Sequence, residues 1–266
     1  MRRVSLYAPL VNGALLLALL GLAFQRLGQA YPSLDAPLNS DAFWTYLPNA
    51  RKLLQAPWSF LTTDPASYHV APLGYMWPAL LGANQALIQT ANAALFLISC
   101  VLMWDFMRRL GGSLAAFVTT GLLIAHPNLM KHAPQVLTES IYLFGLMAAL
   151  YGAVRVALAP SGTRRAGWLT LLSSGLTITL LSRPVLQYML AAALVGLLIV
   201  VRFELPRLRI DRQQARGFFF ALAAALLLPL VFAVKNVFFF DVWGLSTGSG
   251  TGLYYGVSPF TNGSEP

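Results

Sequence analysis

The sequence predicts an all-α, polytopic membrane protein of about seven transmembrane helices, with a long first outer loop containing amphipathic interfacial helices. Three observations predict it. Hydrophobic residues make up 57% of the 266 and charged residues only 10%, with a mean hydropathy of +0.64, whereas a soluble domain carries roughly a quarter charged residues. The apolar residues are gathered into runs close to the ~20 residues that cross a ~30 Å hydrocarbon core. The basic residues, finally, divide unevenly between alternate connections. The same composition excludes intrinsic disorder. A single cysteine, Cys100, excludes a disulfide scaffold and a multi-thiolate metal site.

The first apolar run covers 6–24, with Arg2 and Arg3 before it and Arg26 after it. Gly28-Gln29-Ala30 has the small-residue spacing of a signal-peptide cleavage site, but the run is long for a signal peptide, so an uncleaved span is expected. No clean span occurs from 25 to 83, a stretch with seven prolines (32, 37, 48, 57, 65, 72 and 78). Runs follow at 86–107, 114–125 and 137–158. The stretch 168–201 is too long for one crossing. Ser182-Arg183-Pro184 interrupts it, and proline ends a helix at the preceding residue, so it is read as two spans. A seventh run covers 218–232.

The charges orient these spans. With the N-terminus inside, the inner segments hold twelve bases: Arg2, Arg3, Arg108, Arg109, Arg155, Arg164, Arg165, Arg202, Arg207, Arg209, Arg212 and Arg216. The outer segments hold six, namely Arg26, Arg51, Lys52, Lys131, Arg183 and Lys235. Twelve against six places the N-terminus in the cytoplasm of a multi-pass plasma (inner) membrane protein. The net charge of +9 is thus an orientation signal, and nucleic acid is not an expected partner. No internal repeat is visible and the spans are nearly free of charge, which weighs against a transporter. The scarce polar chemistry lies on the outer side.

Within the outer loop, Ser40 is a good N-cap and Asp41 suits a first helical turn. Phe43, Leu47, Ala50 and Leu54 then form one apolar stripe. Such a helix lies flat on the membrane with Phe43 and Trp44 in the interface, kinked at Pro48.

The order of several short motifs resembles the GT-C glycosyltransferases, in the branch of the protein O-mannosyltransferases, the lipid A aminoarabinose transferases and the Rgt-type transferases. Ser40-Asp41 with Tyr46 opens the long outer loop, Tyr46 lying five residues after Asp41 where the family often has four. His69-Val70-Ala71-Pro72-Leu73-Gly74-Tyr75 is similar to the branch's Pro-Pro-Leu-x-Tyr stretch, and Leu137-Thr138-Glu139-Ser140 to its Leu-Thr-Glu signature. Leu181-Ser182-Arg183-Pro184 resembles its Thr/Ser-Arg-Pro turn. Lys235-Asn236, Gly244 and 245–250 resemble its Arg-Asn…Gly…Ser…Gly tail, with Lys in place of Arg. The resemblance implies a GT-C-like membrane module over 1–236, with outer loop 26–85. The Gly- and Ser-rich 237–266 is then the expected start of a truncated C-terminal region.

The resemblance further implies transfer of a hexosyl or pentosyl group from a polyprenyl-phosphate donor to a hydroxyl of a lipid, glycan or protein acceptor. Inversion by direct attack needs one carboxylate to take the acceptor proton, and Asp41 stands at the family's catalytic position. The leaving phosphate needs cations; Arg183, Lys131, Lys52 and Lys235 are the outer-side candidates. Glu139, Tyr46, His69 and His132 are further site candidates. Some relatives use a divalent cation, for which Asp41, Glu139 and His132 are the alternative ligand set, although two histidines six apart (126 and 132) are no ligand signature. The alternative functions are a multi-pass transporter or permease and a non-catalytic truncated module that binds lipid carrier.

Overall fold

The computed structural model describes residues 8–31, 38–39, 41–58, 61, 70–159, 163–183, 187–203, 212–241 and 243–246. Among them there is no strand. The helices are α1 (Ala8–Ala30), α2 (Leu47–Gln55, entered through a π-helical turn at Ala42–Tyr46), α3 (Pro72–Leu80) and α4 (Gln85–Ala125). They continue as α5 (Pro127–His132), α6 (Glu139–Leu158), α7 (Thr163–Ser182), α8 (Gln187–Phe203) and α9 (Arg212–Phe240). Among the described residues, α1, α4, α6 and α9 are long and apolar enough to cross a membrane. Their outward faces carry exposed Leu10, Leu17, Phe24, Leu114, Leu122, Phe220, Leu227 and Val231. Contiguous exposed apolar surface of this kind is stable in lipid and not in water. The protein is membrane-embedded.

At about 1.5 Å per residue, α4 would run about 60 Å, twice a bilayer core. It is two helices joined at Gly112, whose φ of 81° and ψ of −174° only glycine adopts without strain. The halves, 85–111 and 113–125, coincide with two of the apolar runs. Contacts show that they fold back on each other. Tyr31 at the end of α1 donates to the Ala86 carbonyl, and Arg26 donates to the Ile124 carbonyl. One end of the bundle therefore gathers the end of α1, the start of α4 and residue 124. The start of α1 lies beside Trp104, Asp105 and Arg108 at the opposite end. A core of Leu19, Ala23, Leu27, Phe96, Cys100, Trp104 and Ile124 fills the space between α1 and both halves.

α6 leaves the first end and α7 returns to it. This is the most extensive helix interface, and glycine makes it close. A Cβ at Gly152 would lie 2.7 Å from the Leu172 amide nitrogen, and one at Gly145 would lie 2.8 Å from the Gly175 carbonyl oxygen. Small residues let helix backbones approach in lipid, where packing and not water expulsion holds helices together. α9 closes on α7 and α8, with Thr177 of α7 donating to the Ala225 carbonyl.

The outer loop departs from the sequence expectation. Phe43, Leu47, Ala50 and Leu54 do not share a face: Leu47 and Ala50 are buried, while Phe43 and Leu54 are exposed. The reason is Pro48. It has no N–H, and its ring would collide with the carbonyl four residues back. The chain widens ahead of it, so that Leu47 donates to the carbonyl of Ala42, five residues earlier. That wider turn resets the phase of the helix. Ala42, Thr45 and Tyr46 now face inward beside Leu47 and Ala50, and Trp44 points out at 75% exposure. The capping expected from Ser40 lies outside the described residues; Asn39 Oδ1 accepts the Asp41 N–H.

Candidate functional site

The end of the bundle that receives the outer loop gathers polar side chains from three distant segments. Tyr46 is the centre. The π-helical turn directs it inward, and it is 7% exposed. It packs on α3 at Gly74, where a Cβ would lie 3.0 Å from the ring. Pro72 begins α3 at a position where a missing N–H costs nothing. The Tyr46 hydroxyl is hydrogen-bonded to the Thr138 side chain. Burial pushes its phenol up from 10.0 to about 12, reinforced by the nearby Asp41 and Glu139 carboxylates and opposed by the Thr138 bond and Arg183. Tyr46 is consequently a neutral hydroxyl throughout the physiological range.

Glu139 is the first residue of α6, where a carboxylate complements the helix dipole. Arg183 follows the last residue of α7. The two meet as an ion pair, Arg183 Nη2 to Glu139 Oε1 at 2.5 Å, and Arg183 Nε also approaches Thr138 Oγ1 at 3.4 Å. Arg183 is 46% exposed and Glu139 26%, so the guanidinium remains reachable from outside. The second Glu139 oxygen is buried and has no hydrogen-bond partner among the described residues. Asp41 is exposed, and its side chain makes no capping hydrogen bond. Asp41, Tyr46, Thr138, Glu139 and Arg183 thus belong to one electrostatic neighbourhood, although 142 positions separate its first and last members.

A buried scaffold holds the middle of this group, and sequence reasoning missed it. Asn92, fully buried in α4, accepts from Trp77 Nε1 at 2.9 Å and donates to the carbonyls of Gln135 at 2.6 Å and Leu137 at 3.1 Å. Ser140 donates to the Ala133 carbonyl at 2.9 Å. These bonds fix the segment entering α6 and so the positions of Thr138 and Glu139. The signal available in the sequence was an asparagine inside an apolar run, where a buried amide requires partners.

The other candidates lie apart in role. Lys52 and Lys131 are exposed on α2 and α5. Lys235 is half-buried with its ammonium 5.2 Å from the Phe240 ring centroid. Its neighbour Asn236 donates to the Gly244 carbonyl at 2.7 Å, which joins two parts of the tail motif. His132 turns to Gln135, Nδ1 to Oε1 at 3.2 Å. Asp41, Glu139 and His132 do not form a ligand cluster, and among the described residues no three His, Cys, Asp or Glu do. His69 and 247–250 lie outside the described residues. No family model matches the chain, and no curated protein or solved structure is similar to it at a significant level.

Proposed function

We propose that the chain is a GT-C-type membrane glycosyltransferase that moves a sugar from a polyprenyl-phosphate donor to an acceptor hydroxyl. In this reading all seven apolar helical stretches cross the plasma membrane, the N-terminus is cytoplasmic, and the Glu139 end faces outward. The observation that carries the proposal is the meeting of Asp41, Tyr46, Glu139 and Arg183, which come from three of the motifs, at one end of the bundle.

Asp41 takes the proton of the acceptor hydroxyl as the oxygen attacks the anomeric carbon. The bond from that carbon to the phosphate oxygen breaks, the configuration inverts, and polyprenyl phosphate leaves with the electron pair. An exposed carboxylate suits the first task because the acceptor must reach it. The leaving phosphate gains charge, and Arg183 supplies a guanidinium for it. Glu139 and Thr138 position that guanidinium, and the neutral Tyr46 hydroxyl can donate a hydrogen bond but cannot compete as a base.

The test is Asp41→Asn in membranes supplied with a panel of radiolabelled polyprenyl-phosphate sugars. Transfer should fall by about 10²–10⁴-fold, the usual share of a general base, with membrane insertion unchanged by protease accessibility. Wild-type transfer by the variant would remove Asp41 from the role.

A further inference from the structure

At the end opposite Tyr46, a cavity of about 540 Å³ opens between α1 and the first half of α4. Its walls are apolar along Pro9, Leu16, Val101 and Trp104, and polar at Asn12, Asp105 and Arg108. Gly13 also lines it, and a Cβ there would meet nothing within 4 Å. Asp105 lies 20 residues after Gln85, which at 1.5 Å each is about 30 Å along the helix. That is the thickness of a hydrocarbon core, so the polar rim lies at the depth of lipid phosphates.

The rim is over-supplied with positive charge. Asp105 Oδ1 accepts from Arg108 at 2.6 Å; Oδ2 accepts from Arg109 at 2.7 Å and from the Tyr151 hydroxyl at 2.8 Å. Tyr151 in turn accepts from Arg155 at 2.9 Å. Two guanidiniums therefore bond the Asp105 carboxylate directly and a third, Arg155, reaches it through the Tyr151 hydroxyl, so three cations share one carboxylate, a surplus of two charges. Arg165 and Arg216 add positive charge on α7 and α9. Asp105 is the only carboxylate among the described residues of this end. The Arg108 side chain is 40% exposed and lines the cavity.

We infer that this cavity is a binding site for an anionic phospholipid, whose phosphate sits on Arg108 and whose acyl chain runs along Leu16, Val101 and Trp104. An apolar slot under a cationic rim matches both halves of such a molecule, and anionic leaflets are drawn to basic residues at this depth. The site is separate from the Tyr46 neighbourhood and does not depend on the proposed reaction.

Two variants test it in the full chain, purified in detergent and titrated with phosphatidylglycerol, phosphatidylcholine or inorganic phosphate by native mass spectrometry. Wild type should take one phosphatidylglycerol in preference to phosphatidylcholine. Arg108→Gln should weaken phosphatidylglycerol about 10-fold or more, the weight of one charge-assisted hydrogen bond. Asp105 keeps Arg109 and Tyr151 in that variant, so the fold should stand. Gly13→Leu fills the slot, leaves every charge in place, and should abolish binding of the lipid. Phosphatidylglycerol binding unchanged in Gly13→Leu, equal uptake of the two lipids, or inorganic phosphate binding as tightly as phosphatidylglycerol would each overturn the inference.

Discussion

Gly175 on α7 is where the closeness of the bundle can be measured. A Cβ placed on it lies 2.5 Å from the Ala149 amide nitrogen, 2.7 Å from the Gly145 carbonyl oxygen and 3.0 Å from the Ala149 Cα. Ordinary contact between such atoms is about 3.5–4.0 Å. All three neighbours are backbone, so no side chain can rotate aside. In Gly175→Leu the helices must part by about 1 Å, with the overpacking cost of about 1–3 kcal/mol at its upper end. The better helix propensity of leucine returns somewhat under 1 kcal/mol, for a net loss of about 2 kcal/mol. Gly13→Leu on α1 is the matched control, because its Cβ meets nothing within 4 Å. In detergent without added phospholipid it should be neutral or gain up to about 1 kcal/mol. Cys100, the sole cysteine and buried, allows the assay: a thiol-reactive fluorophore reports its exposure on heating. At about 2–4 °C per kcal/mol, Gly175→Leu should lower the midpoint by roughly 4–8 °C. A midpoint equal to wild type, or an equal fall in Gly13→Leu, would refute the account of glycine-mediated packing. Because Glu139 begins α6 and Arg183 follows α7, the same variant should also lose the proposed transfer activity.

Three further outcomes follow from the site. Asn92→Leu leaves Trp77 Nε1 and the carbonyls of Gln135 and Leu137 without their shared partner; at about 1–3 kcal/mol for each group left unsatisfied, it should destabilise by at least about 3 kcal/mol, and a midpoint within a degree of wild type would contradict that. Arg183→Gln and Glu139→Gln, combined in a double-mutant cycle, should show a coupling near 0.2–1 kcal/mol, since the pair is partly exposed; several kcal/mol would mean the pair is shielded from solvent. Tyr46→Phe should remove from the 295 nm absorbance titration one phenol ionising near 12 instead of 10.0. The folded state holds a proton that the unfolded chain releases, so the phenol's contribution to stability is complete below pH 10 and declines as pH rises toward about 12. A difference spectrum centred at 10 would show Tyr46 to be solvated.

The helices were largely legible because lipid solvation leaves a direct mark on composition. The break of the long apolar stretch near 110 follows from Arg108, Arg109 and the Gly-Gly pair, since bases stop at the membrane edge and Gly112 alone permits the turn. The end of α7 at Ser182 was readable from Pro184. The face of the outer-loop helix was not. Period counting assumes a uniform 3.6-residue turn, and one π turn before Pro48 shifts every later side chain. Asn92 was missed for a related reason: it is chemically ordinary until the fold brings Trp77 and the carbonyls of 135 and 137 to it.

What the sequence determined alone is the solvent and the approximate helix boundaries, because transfer of apolar side chains into lipid is a sum over single residues. It also named Asp41, Tyr46, Glu139 and Arg183 as candidates. Only the tertiary structure decided that Asp41, Glu139 and Arg183 all lie near enough to Tyr46 to influence it and that Glu139 pairs with Arg183, that Lys52 and Lys131 stand exposed on α2 and α5, and that His132 turns to Gln135. Electrostatic interaction falls with distance, and distances between residues 41, 139 and 183 are set by helix packing. That packing rests on Gly145, Gly152 and Gly175, whose contribution is the absence of a side chain and has no meaning until another backbone lies against it.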